Sequence, residues 1–254
     1  MKTKAISRNI YILYTLAHLK QKANVRGTWL GYLWWFIEPL ILITIYCYLV
    51  GIIFGHADED RVLMIAIGVT TWKWFNMSLR SATTSFLRYK GIVCQVKMHI
   101  AILPISAVCG ETYLFLFAYG LLQIAFLFLG YQPDMLALVL TFLVSFITVA
   151  SISLALAMVN VYIRDTSILI GFGLRLMFYI TPIIYPPHRV PEEYSFLITY
   201  NPFAHLIGYF DDALVHIDNV NYHNMLISLL MSTIVFFVLL SLCRKLTANI
   251  VRNV

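Results

Sequence analysis

RGTWLGYLWWFIEPLILITIYCYLVGIIF, Arg26–Phe54, turns a basic leader into a long apolar run. Trp34 and Trp35 stand at the turning point, and Glu38 and Pro39 follow a turn further in. The 24 residues from Gly31 to Phe54 reach roughly 36 Å as a helix, enough to cross a hydrocarbon core of about 30 Å. Pro39 removes a helical N–H and frees the carbonyl of Trp35, so a kink is expected there. Gly27/Gly31 and Gly51/Gly55 have the spacing that lets helices approach closely.

The rest of the chain continues the pattern. Of 254 residues, 61% are hydrophobic and only 12% charged, against roughly 45–50% and about 25% in soluble domains. A water-soluble fold of this length could not hide so much apolar surface. The expected class is an all-α membrane protein, with one compact domain over 1–254. The net charge of +6 is not a nucleic-acid footprint, because its distribution follows membrane topology. Cys47, Cys94, Cys109 and Cys243 show no CxxC spacing, so neither a metal site nor a disulfide framework is expected. The leader has no A-x-A cleavage site, and the apolar run after it is too long for a signal peptide, so it is expected to be retained.

Residues 1–30 hold Lys2, Lys4, Arg8, Lys20, Lys22 and Arg26 and no acid. Ile6, Ile10, Leu13 and Ala17 recur at helical spacing. The prediction is an amphipathic interface helix in the headgroup plane, its lysines toward anionic lipid. Six spans follow, at 31–54, 62–79, 101–129, 135–162, 168–185 and 225–243. An acidic loop, HADEDR, separates the first two; a basic amphipathic loop, Arg80 to Ile100, precedes the third; GYQPD turns the chain before the fourth. Residues 186–221 carry Pro186, Pro187, Pro191 and Pro202 between short apolar pieces, YSFLITY and FAHLIGYF. Neither piece can span, so two short re-entrant or interfacial helices are expected between the fifth and sixth spans. A short basic tail follows the sixth span.

This layout puts 14 Lys and Arg on the side of the termini, and only Arg61 and Arg189 on the other. That asymmetry orients both termini to the cytoplasm and requires an even number of spans. Nine acids lie on the opposite side, against Asp165 alone on the side of the termini.

Several chemistries are absent. There is no G-x-x-x-x-G-K-[ST], no H-E-x-x-H and no G-x-S-x-G, and the histidines are scattered. No catalytic or metal-ligating set is expected. Two classes remain: a transport channel driven by another protein, or an intramembrane enzyme with a diffuse site. Charged residues inside spans are the best pointers, since each costs roughly 2.5–3.5 kcal/mol at a helix centre. They are Glu38, Lys73, Glu111 and Arg175. Glu38 and Lys73 either pair, line an aqueous path, or snorkel to opposite headgroup layers. Arg175, deeper in its span, is expected to face a cavity or an anionic ligand. Glu111 stands alone in an apolar segment. The dense aromatics divide between interfacial belt, core packing and a conduit wall on which sugar faces could stack.

Three stretches carry a resemblance. GYLWWFIEP (Gly31–Pro39), IVCQVKMHIAILPIS (Ile92–Ser106) and the long segment Val161–Ile207 resemble polysaccharide-exporting ABC transporter permeases of type 2. The last has that family's Arg-Asp, Thr-Pro-x-x-Tyr and Asn-Pro punctuation in order, at Arg164-Asp165, Thr181-Pro182, Tyr185 and Asn201-Pro202. The resemblance implies a homodimeric channel in the bacterial cytoplasmic membrane, with two copies of a separate P-loop ATPase. It implies no cofactor in this chain, since ATP and Mg would be bound by the partner. The substrate class would be a lipid-linked polysaccharide of O-antigen, capsule or teichoic-acid type.

By the same resemblance, Trp34, Trp35, Tyr46, Phe178, Tyr185 and Arg175 are candidates for the channel wall. Arg88, Lys90, Gln95 and Lys97 are candidates for ATPase coupling. Arg26, Arg88 and Lys97 are candidates for the substrate head group, and Glu38 and Pro39 for a hinge. Two departures stand out. Met98-His99-Ile100 replaces a Phe-Pro-Arg often found in the family, and Asp211 or Asp212 stands where an arginine often follows Asn-Pro. The alternatives are a drug or small-molecule exporter of the same superfamily and an intramembrane glycosyl- or acyltransferase.

Overall fold

A computed structural model describes residues 2–25, 29–54, 59–95 and 98–253. Among them there is no strand. The helices are α1 (Lys2–Val25), α2 (Trp34–Phe54), α3 (Glu59–Thr83), α4 (Ser85–Arg88), α5 (Lys90–Gln95), α6 (Ile102–Phe128), α7 (Met135–Tyr162), α8 (Thr166–Ile180), α9 (Phe196–Thr199), α10 (Pro202–Leu214) and α11 (Tyr222–Asn253). Four of them, α3, α6, α7 and α11, are long and apolar enough to cross a membrane. Shorter apolar helical stretches cover Ile37–Leu49 and Thr166–Ile180.

α3 is the central post. In its apolar stretch 72% of residues are buried, against 6% in that of α11, because α3 packs on α2, α6, α7, α8 and α10, whereas α11 packs chiefly on α7. Hydrophobicity cannot drive such packing in lipid, so small and hydroxylated residues carry the interfaces. Thr148 of α7 and Ser232 of α11 share a hydrogen bond of 2.8 Å. The indole N–H of Trp74 donates to Thr112 at 3.1 Å. Around it, Trp74 stacks on Phe115 with centroids 4.3 Å apart.

The ends of the helices follow their sequence signals. Gly130 takes φ 91, a conformation glycine adopts without steric cost, and turns the chain after α6. Asp134 then caps α7 by accepting from the amides of Leu136 and Ala137, both at 3.0 Å. Thr181 is extended, with ψ 134, as the residue before a proline must be. Helix α8 therefore stops at Ile180, short of the expected 185. Its 15 residues reach roughly 22 Å. In the other direction, α3 outruns the expected 62–79, and α11 absorbs the basic tail, so that Arg244, Lys245 and Arg252 are helical. Residues 80–100, read as a loop, contain α4 and α5.

The leader needs a correction. It is helical, but not all of its lysines face outward. Ile10 is 62% exposed while Leu16 is 7% exposed, and α1 packs along α6. Lys20, expected to face lipid, points inward. The reason is a charge on the other side of the contact, Glu111.

Candidate functional site

Glu111 lies in the second turn of α6 beyond Pro104, inside the packed region, and is 1% exposed. It does not stand alone. The Lys20 ammonium, 8% exposed, pairs with it and also donates to the hydroxyl of Ser81 on α3. Burial pushes the Lys20 ammonium below its ordinary value, and Glu111 draws it back up. One residue of the leader thus ties together α1, α3 and α6. Sequence reading missed it because Lys20 looked like one more basic leader residue; the isolated acid in an apolar span was the signal.

The second charged pair was open in the sequence, and the structure closes it. Lys73 of α3 reaches Glu38 of α2 at 2.8 Å, with the lysine 12% and the glutamate 61% exposed. Helix α2 runs through Pro39, which is buried, beside Lys73, Thr70 and Trp74.

The aromatic candidates are distributed unevenly. Tyr46 and Phe178 meet at 5.6 Å between centroids, and Phe178 also lies 5.8 Å from Trp72. These rings join α2, α3 and α8. Tyr185 folds back on α8, its hydroxyl donating to the carbonyls of Ile180 at 2.7 Å and Tyr179 at 3.1 Å. It caps orphan carbonyls of the helix end. Trp34 is exposed at the start of α2; the side chain of Trp35 lies outside the described residues. Arg175 is exposed, its guanidinium 5.7 Å from the centre of the Phe172 ring. Phe172, Leu176 and Tyr179 are exposed along the same side of α8.

In the segment read as a coupling loop, Phe86 is fully buried and fixes α4 against the start of α6 and the end of α7. Arg88 is exposed and donates to Thr84 at 3.0 Å. Lys90 and Gln95 are exposed on α5. Arg26 and Lys97 lie outside the described residues. His99, in the departure from the family pattern, accepts from Arg244 Nε at 2.7 Å, which links this segment to the end of α11. Burial and the Arg244 charge hold His99 below its ordinary value.

At the opposite end lies an acidic group. Tyr131 donates to Asp60 at 3.3 Å, Tyr222 to Asp134, and His216 pairs with Asp211 at 3.1 Å. Burial raises Asp211, and His216 opposes the rise. Asp212 is pushed up to about 6 by burial and by the neighbouring Asp211. Where the family often has an arginine, this chain has a paired acidic site. Among the described residues no group of His, Cys, Asp and Glu could hold a metal.

Residues 13–214 match the model of the ABC-2 type transporter family. The chain belongs to that family. Among its curated relatives, an O-antigen export system permease protein, RfbA, from Klebsiella pneumoniae is 26% identical over 92% of both chains. A second RfbA from Klebsiella pneumoniae is 28% identical over 77% of both, and one from Myxococcus xanthus is 24% identical over 77% of both. In this ABC-2 type chain, then, the bundle is the membrane part of a transporter. The Asn-Pro and Thr-Pro punctuation falls inside the matched range, and structurally it is one joint: Asn201 donates to Thr181 at 2.8 Å.

Proposed function

We propose that this chain is the membrane subunit of an exporter that moves a lipid-linked polysaccharide across the bacterial cytoplasmic membrane. The likeness over 92% of both chains to an O-antigen export permease carries the reading. In this reading the chain works as a homodimer with two copies of a P-loop ATPase, which bind ATP and Mg. The spans are six, formed by α2, α3, α6, α7, α8 and α11; α9 and α10 form the re-entrant region, and both termini are cytoplasmic.

The face of α8 supports a second copy. Arg175 stands exposed among Phe172, Leu176 and Tyr179. An arginine facing lipid at that depth is costly, whereas one facing a seam between subunits meets water and an anionic substrate. Trp34, Trp35, Tyr46, Phe178 and Tyr185 then line or support the conduit. ATP closes the partner subunits, and the motion enters through Arg88, Lys90, Gln95 and Lys97. The diphosphate-lipid head is drawn to basic residues at that end, among them Arg26, Arg88 and Lys97. Glu38 and Pro39 mark the hinge at the mouth.

The test is complementation of an export-deficient strain, with co-purification of the ATPase as a control. Wild type restores surface polysaccharide. Trp34→Ala with Tyr185→Ala abolishes it while ATPase association persists. Normal surface polysaccharide in that double variant refutes the aromatic conduit.

A further inference from the structure

A cavity of about 570 Å3 lies between α1 and α6, outside every element assigned to the conduit. Its size is within the range of sites that hold small ligands. Leu13, Tyr14 and Ala17 form one wall; Tyr113, Leu114 and Phe117 form the other. Gly110 allows the two helices to meet, since a Cβ there would lie 3.1 Å from Gln21 Nε2 and 3.5 Å from the carbonyl of Ala17. The walls are apolar and aromatic, and Tyr14 and Tyr113 remain 68% exposed, so the groove opens sideways toward lipid.

One lining residue does not fit an empty apolar groove. Gln21 is 4% exposed, and both polar atoms of its amide lack a hydrogen-bond partner among the described residues. Leaving such a group unmade costs about 1–3 kcal/mol. A plain hydrocarbon tail would satisfy neither atom. An ester linkage would satisfy the donor, since its carbonyl accepts from the amide N–H. His18 also lines the cavity, and Lys22, exposed, stands four residues on, over the same face of α1. The charge beyond the ester is therefore matched by an anion.

We infer that the groove between α1 and α6 seats an anionic glycerophospholipid of the leaflet at the basic end of the bundle. An acyl chain lies along Leu114 and Phe117, an ester carbonyl meets Gln21, and the phosphate faces His18 and Lys22. The site is separate from substrate passage and fixes the leader to the bundle beside the Lys20–Glu111 pair.

The full chain is purified in mild detergent, washed free of lipid, and titrated with dioleoylphosphatidylglycerol. Parallel arms use dioleoylphosphatidylethanolamine and a polyprenyl phosphate, and retained lipid is measured by mass spectrometry. Wild type retains about one phosphatidylglycerol per chain. Gln21→Leu lowers its affinity by about fivefold, as for one lost hydrogen bond, and Ala17→Phe, which fills the groove, abolishes retention. Leu230→Phe on the exposed side of α11 leaves retention unchanged. Unfolding temperatures verify folding; should Ala17→Phe fail to fold, Leu13→Phe replaces it. Absence of retained phosphatidylglycerol, preference for the polyprenyl phosphate, equal binding of the ethanolamine lipid, or retention unaffected by Gln21→Leu and the groove-filling variant overturns the assignment.

Discussion

Lys20 of the leader and Glu111 of α6 form a buried ion pair across 91 residues of sequence, and Ser81 of α3 accepts from the same ammonium. Breaking a buried pair leaves the surviving charge without compensation, whereas replacing both partners removes the desolvation cost along with the attraction. Lys20→Met and Glu111→Leu are each expected to lower stability by about 3 kcal/mol. The double variant Lys20→Met/Glu111→Leu is expected within about 1 kcal/mol of wild type. Thermal unfolding in detergent reads the cycle, and protease sensitivity of the leader reads its release in the single variants.

A second contact fixes the joint after α8. Gly68 of α3 faces Ile183, which is fully buried; a Cβ at Gly68 would sit 2.9 Å from Ile183 Cγ2 and 3.5 Å from its backbone Cα. The clash falls on the Cγ2 methyl of a fully buried, β-branched side chain, which has little freedom to retreat. Gly68→Ala is expected to destabilise by about 1–3 kcal/mol. Gly68→Ala combined with Ile183→Ala is expected to lose less than the two single losses summed, because the methyl then fills part of the vacated space. The same unfolding assay checks both.

These two relationships show what the sequence could and could not say. The apolar run after Arg26, Pro202 and the turn GYQPD located helices and turns, because helix length and turn chemistry are local, whereas the end of α8 at Ile180 was placed too late, at 185, although Pro182 marks it. Glu38 and Lys73 were legible as charges, but their pairing at 2.8 Å depends on how α2 meets α3. In the leader the stripe of Ile10, Leu13 and Ala17 was legible, but Lys20, read as facing lipid, is drawn inward by Glu111, a residue no local pattern connects to it. Tyr185 was singled out as an aromatic for the conduit; its hydroxyl closes the end of α8, a role visible only once α8 stops at Ile180.

The acidic end gives a dependence on pH. Asp212 is pushed up to about 6 from its ordinary 3.8, so the folded chain holds this proton more tightly than the unfolded chain. The resulting stabilisation is present in full below 3.8 and is lost as pH rises through about 6. His216 and Asp211 face the same group, with Asp60 alongside, and the half-exposed position screens the effect. Asp212→Asn is expected to raise stability near neutral pH by about 1 kcal/mol and to make no difference near pH ~4. Unfolding temperatures across that range check the sign; a gain at low pH alone would contradict it.

The joint between α8 and α10 rests on Asn201. Its side-chain oxygen accepts from the amide of Phe203 at 3.0 Å, capping α10, and its amide donates to Thr181 at 2.8 Å. Thr181 in turn donates to the carbonyl of Met177 at 2.7 Å, so one chain of hydrogen bonds joins two helix ends, and Pro182 and Pro202 hold the backbone extended on either side. Asn201→Ala removes the cap and orphans a buried hydroxyl acceptor, with an expected loss of about 2 kcal/mol. Asn201→Asp keeps the cap but exchanges the donor for an acceptor, so its loss is about 1 kcal/mol. If the joint sets the height of α10 against α3 and α7, Asn201→Ala reduces export more than Gly68→Ala at equal stability. Surface polysaccharide measured at matched protein levels distinguishes the two, because a purely thermodynamic effect would scale with the unfolding temperature in both variants.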